Sequence, residues 1–136
     1  MIIYLVSSLA AWLAVGLVAC EIVLPYALRR TWLCAWMGIS PETRYLQRMW
    51  PHYWIGYAIA GLSFAHAFSV GPSMMRADQL GIWMATLAFL MLLAQVFLGL
   101  YLQTATAVGR IRVRRIHFWA MMIFVGLLVV HLWLNA

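Results

Sequence analysis

The chain has 136 residues, 67% of them hydrophobic and 9% charged, with a net charge of +6. A soluble domain of this size needs a far more charged surface, so a water-facing globular protein is excluded. The positive balance does not mark a nucleic-acid binder either, because the arginines lie between apolar stretches, where they set membrane orientation.

Crossing about 30 Å of hydrocarbon takes about 20 mostly apolar residues. Four stretches meet this need: residues 2–28, 51–70, 80–104 and 115–133. They leave no segment for a separate soluble domain. Residues 1–136 are therefore expected to form one domain, an all-α integral membrane four-helix bundle.

The first stretch carries Pro25 and ends at Arg29 and Arg30, with Trp32 and Trp36 just beyond. Aromatics beside arginines mark the headgroup level. Within it, Leu17-Val18-Ala19-Cys20 looks like a lipoprotein cleavage site. No basic region precedes it and the apolar run continues past the cysteine, so an intact first span is expected. Ser40-Pro41-Glu42 reads as an N-cap, a first-turn proline and a first-turn acid, opening a short interfacial helix with Tyr45 and Trp50. Pro51 then kinks this helix or starts the second span afresh. Gly71-Pro72-Ser73 ends that span. The third runs back, and 104–109 forms a small-residue turn before a basic cluster.

Arg29, Arg30, Arg44 and Arg48 fall in the first loop, and Arg110, Arg112, Arg114 and Arg115 in the third. The middle loop holds Arg76, beside Asp78. Eight of nine arginines thus share one side, which the positive-inside rule assigns to the cytoplasm, with both termini outside. The use of arginine without lysine fits a GC-rich bacterial genome, hence a bacterial cytoplasmic (inner) membrane. Cys20 and Cys34 offer no disulfide framework, and no C-x-x-C-H motif for covalent haem is present.

A faint repeat links the second and fourth stretches. HYWIGYAIAGLSFAHAF from His52 and HFWAMMIFVGLLVVHLW from His117 share five of 17 positions and the skeleton H-x-W-x6-G-L-x3-H. All four histidines belong to it: His52 and His66 are 14 apart, and so are His117 and His131. Fourteen residues at about 100° each return to within roughly 40° of the starting face and rise about 21 Å. Both members of a pair therefore look the same way, one near each membrane surface. Two parallel helices built so would present His52 level with His117 and His66 level with His131.

Imidazole is a strong ligand for haem iron, and two stacked b-type haems between helices two and four need this arrangement. Gly56, Ile59 and Ser63 share the histidine face of the second helix, and the small ones leave room for a flat macrocycle; Met121, Phe124 and Leu128 are bulkier on the fourth. Gly61 and Gly126 fall opposite His52 and His117 and are expected at close helix contacts. Arg48, Arg114 and Arg115 lie near the inner pair, where haem propionates would meet them. The blander reading gives each histidine a hydrogen bond to a neighbouring helix. Chlorophyll could also use these imidazoles; a metal-ion site is disfavoured by the scarcity of carboxylates.

The pattern resembles the four-helix core of the dihaem cytochromes b, including the N-terminal half of the quinol-oxidising cytochrome b and cytochrome b6, in which helices two and four each supply two histidines. It is also similar to the ferric-reductase-like transmembrane core, in the run Arg114-Arg115-Ile116-His117 before the last helix. The resemblance implies that His52 and His117 ligate an inner haem, His66 and His131 an outer one, and that electrons cross the bilayer. The quinol-oxidising cytochromes continue into further helices, and ferric reductases add a flavin and nicotinamide domain. Here four stretches account for the sequence and no G-x-G-x-x-G motif occurs.

Two polar residues remain inside apolar stretches: Glu21 in the first and Gln95 in the third. Each is a candidate for a quinone or proton site, against an interhelical hydrogen bond. The function expected is an electron-transfer subunit exchanging with quinone or with a partner: a c-type cytochrome, an iron–sulfur protein or a dehydrogenase. The alternative is a haem-free or pigment-binding structural subunit. A small transporter lacks support, for want of broken helices and paired half-sites.

Overall fold

In the computed structural model, residues 2–28, 31–36, 38–40, 45–70 and 79–135 are described, and no strand occurs among them. The helices are α1 (Ile2–Ala27), α2 (Thr31–Trp36), α3 (Tyr45–Arg48), α4 (Trp50–Val70), α5 (Gln79–Thr104) and α6 (Ala107–Asn135). Arg29, Arg30, Arg44, Arg76 and Asp78 lie outside the described residues, as do Pro41, Glu42 and the Gly71-Pro72-Ser73 turn.

Three helical segments are long and apolar enough to cross a membrane: Leu5–Ala27, Gln79–Thr104 and Val108–Asn135. Apolar side chains such as Leu5, Trp12, Phe97 and Val108 stand exposed along them. In water that surface would be an aggregation site; against lipid tails it is the surface required. The chain has the character of a membrane protein.

The fourth expected span differs in degree. α4 has the length, 21 residues, but His52, His66, two tryptophans, two tyrosines and two serines lower its hydropathy, and it is not among the three. Pro51 falls in its first turn, where a missing N–H costs no helical bond, and Met49 separates α4 from α3.

The last helix begins at Ala107, not near Arg115, so Arg110, Arg112, Arg114 and Arg115 ride on its first turns rather than in a loop. Arginine is a good helix former, and Thr106 at the N-cap position can start the helix early. The connection shrinks to Ala105 and Thr106. It is tied by Ala105 N–H to the Tyr101 carbonyl at 2.9 Å and by Arg110 Nη2 to the Ala105 carbonyl at 2.8 Å.

The chain divides into two compact units, Met1–Ala67 and Phe68–Ala136. In the first, α2 closes with Gly38 at φ 69°, the Ile39 N–H bonded to the Cys34 carbonyl at 2.7 Å. That left-handed residue is the usual glycine stop of a helix. Cys34 is buried and donates Sγ–H to the Leu28 carbonyl at 3.3 Å; neither it nor Cys20 is in a disulfide. In the second unit α5 and α6 pack as an antiparallel hairpin.

Candidate functional site

Three polar side chains among the described residues are buried: Ser7, Glu21 and Gln95. Each of them bonds to a histidine residue. That coincidence marks a candidate site in each of the two units.

In the first unit, α1 and α4 meet in a fixed register. Ser7 faces His66 and Glu21 faces His52, so the 14-residue interval of the histidines is matched by an equal interval on α1. Between these two pairs α1 buries Ala10, Ala14 and Val18, and α4 buries Ile59. Small side chains on α1 let the helices approach, since close packing supplies the attraction that hydrophobicity cannot provide inside lipid. His66 Nδ1 lies 3.1 Å from the Ser7 carbonyl and 2.9 Å from its Oγ. A carbonyl can only accept, so an Nδ1–H donated to it leaves the ring's lone pair on Nε2. His52 Nδ1 is held by Glu21 Oε2, another acceptor. Each ring is thereby held in orientation, and an Nδ1–H donor at each leaves Nε2 for a metal.

Gly56 sits beside the carboxylate: a Cβ there would lie 3.7 Å from Glu21 Oε1. Glu21 Oε1 is itself buried without a hydrogen-bond partner. Ser63 is half-buried farther along α4, and Arg48 ends α3, also half-buried.

In the second unit, His117 and His131 lie on α6. A Cβ at Gly99 of α5 would stand 3.9 Å from His117 Cε1, so this glycine gives the ring its place. Gln95 Nε2 donates to the His117 carbonyl at 2.8 Å, which is the interhelical bond weighed above. Its Oε1 is buried without a hydrogen-bond partner. At the other end, Asn135 Nδ2 donates to the His131 carbonyl at 2.7 Å and lies 3.2 Å from His131 Nδ1. That neighbour is a donor, so its bond to Nδ1 makes Nδ1 the acceptor and places the ring proton of His131 on Nε2, the reverse of an Nδ1–H donor. Arg114 and Arg115 are exposed on α6.

Gly61 and Gly126, expected at close helix contacts, are exposed with nothing within 4 Å of a Cβ placed on them. Close approaches occur instead at Gly56, at Gly99 and at Gly81, where a Cβ would meet Asn135 Nδ2 at 3.2 Å. Helical periodicity orders residues around one helix, but it does not say which arc meets a neighbour. Ser7 and Asn135 were also missed. Ser7 had a signal, its 14-residue distance from Glu21; Asn135 had a weaker one, four residues after His131.

Gln95 contributes little to stability by this geometry. Its partner carbonyl belongs to α6, so Gln95→Leu strands no group there, and the lost bond is worth about 0.6 kcal/mol in a membrane. Removal of the unpartnered Oε1 offsets that loss. Thermal unfolding of the detergent-purified Gln95→Leu chain is expected within about 1 kcal/mol of wild type.

Among the described residues, no three His, Cys, Asp or Glu side chains gather to hold a metal ion. No protein-family model matches the chain, and no curated protein or solved structure is significantly similar to it.

Proposed function

We propose that this chain is a dihaem b-type cytochrome subunit of four transmembrane helices, α1, α4, α5 and α6, which relays electrons across a bacterial cytoplasmic membrane. The observation that supports this best is the acceptor placed behind Nδ1 of both α4 histidines, Glu21 Oε2 for His52 and the Ser7 carbonyl for His66. Histidines that ligate metals donate their other ring N–H to such groups, and the donation sets tautomer and ring plane. Haem supplies four of the iron's ligands itself, so each site asks the protein for two imidazoles and not for a cluster of three.

In this reading His52 and His117 serve one haem and His66 and His131 the other, with Gly56, Ser63 and Gly99 giving clearance and Arg48, Arg114 and Arg115 meeting propionates. Haem iron, when bound, takes up and releases one electron at a time. The chain's part is to hold the four rings, keep water from the iron and offer polar groups to a substrate. Glu21 Oε1 and Gln95 Oε1, buried without hydrogen-bond partners, are acceptors to which quinol hydroxyls could donate. A redox partner at one membrane face, a c-type cytochrome, an iron–sulfur protein or a dehydrogenase subunit, would complete the path.

The bonds at Glu21 and Ser7 also favour a second reading, since each ties α1 to α4 and would do so in a haem-free or pigment-binding structural subunit. A dithionite-minus-oxidised visible spectrum with haem quantification separates the two. Two haems per folded chain are expected. A folded chain without haem would overturn the proposal in favour of the structural subunit.

A further inference from the structure

Resting on the dihaem reading, we infer that Glu21 is a positioning residue that lowers the potential of the haem held at the His52 end of the chain. The two α4 histidines are held from α1 in the same register, yet by different chemistry. His66 Nδ1 meets the Ser7 carbonyl at 3.1 Å and the Ser7 hydroxyl at 2.9 Å, both of them neutral oxygens. His52 Nδ1 meets a carboxylate, on a glutamate that is 9% exposed and set two turns from the end of α1.

A carboxylate accepts an N–H more strongly than a carbonyl or a hydroxyl does, and burial away from water strengthens the bond further. The proton shifts toward the carboxylate, and the imidazole gains electron density at Nε2. A more electron-rich ligand stabilises ferric over ferrous iron, because the ferric ion carries one more positive charge for the same ligand field. The buried negative charge acts in the same direction. At His66 neither effect operates. On the α4 side the difference lies in α1 and not in the two histidines, which share a helix and sit 14 residues apart. Gly56 belongs to the same device, since the absence of a side chain there keeps space for the carboxylate at 3.7 Å.

The test is spectroelectrochemistry on the purified full-length chain. Wild type should show two one-electron waves. The wave surviving in His66→Ala identifies the His52 end. Glu21→Gln keeps the shape but removes the charge. It should raise that wave by about tenfold in the ferric–ferrous equilibrium, or about 59 mV for one electron, and leave the other wave in place. Ser7→Ala retains the backbone carbonyl and should move neither wave by a comparable amount.

A Glu21→Gln wave at the His52 end that coincides with wild type would overturn the inference while leaving the dihaem reading intact. Absence of haem from folded wild type would instead defeat the dihaem reading before any potential is measured. Should Glu21→Gln fail to fold, Glu21→Asp decides the matter. Its shorter arm lengthens the bond, so an upward shift supports the inference and an unmoved wave overturns it.

Discussion

His66→Ala is expected to lower haem content from two per chain to one while the protein still folds. The expectation follows from what the substitution removes. If His66 holds a haem, its removal takes away an imidazole that nothing near it in α4 can replace: Ser63, one turn before, and Ser69, one turn after, offer only hydroxyls, and Phe64, Ala65, Ala67 and Phe68 offer no ligand. The structural loss is smaller. Two contacts to Ser7 disappear, and hydrogen bonds between helices in a membrane are worth about 0.6 kcal/mol on average. The Ser7 hydroxyl can turn to a backbone carbonyl of its own helix. Folding should therefore survive and cofactor binding should not.

His131→Ala should lose the same haem, and the double variant His66→Ala/His131→Ala should lose no more than either single one, because one site is emptied once. His52→Ala should remove the other haem. Visible spectra and haem quantification read all four variants. If His66→Ala retains both haems, His66 is a helix tie to Ser7 and nothing more, and the structural-subunit reading gains.

The sequence carries the helices more clearly than it carries their partners. α1 and α5 are legible because their apolar runs are long and almost unbroken, which leaves few alternatives to a membrane helix. The start of α6 is not, because arginines at 110, 112, 114 and 115 look like a loop to any reading based on hydropathy, although arginine is at home in a helix. Glu21 and Gln95 stand out as polar residues in apolar surroundings, and the histidines by their spacing. What each one touches depends on the register of antiparallel neighbours, which one chain's periodicity does not contain. Ser7 shows the difference. It shares the interval of 14 with Glu21, but that interval gains meaning only once α1 is known to run against α4. Gly61 and Gly99 show it too: both are glycines inside apolar helices, and only the second faces a histidine.

Gly99→Leu is the second change expected to have a large effect, and it acts on a histidine without altering it. A Cβ at position 99 would lie 3.9 Å from His117 Cε1, an ordinary van der Waals distance, so Gly99→Ala should keep both haems and nearly wild-type stability. Leucine adds a branched carbon and two methyl groups beyond that Cβ, within reach of the imidazole ring. Either the ring rotates about its side-chain bonds or α5 and α6 move apart. Overpacking of this kind costs about 1–3 kcal/mol, and a ligand tolerates displacement of only about 0.5 Å before its geometry fails. Gly99→Leu should therefore match His117→Ala in spectrum, with one haem lost and the His66-end haem kept. The His117→Gly chain supplies the converse, since it opens a space the size of the ring, and added imidazole should restore the missing haem signal. Retention of both haems in folded Gly99→Leu would show that the His117 ring can be displaced without consequence for iron, and so that His117 is not a ligand.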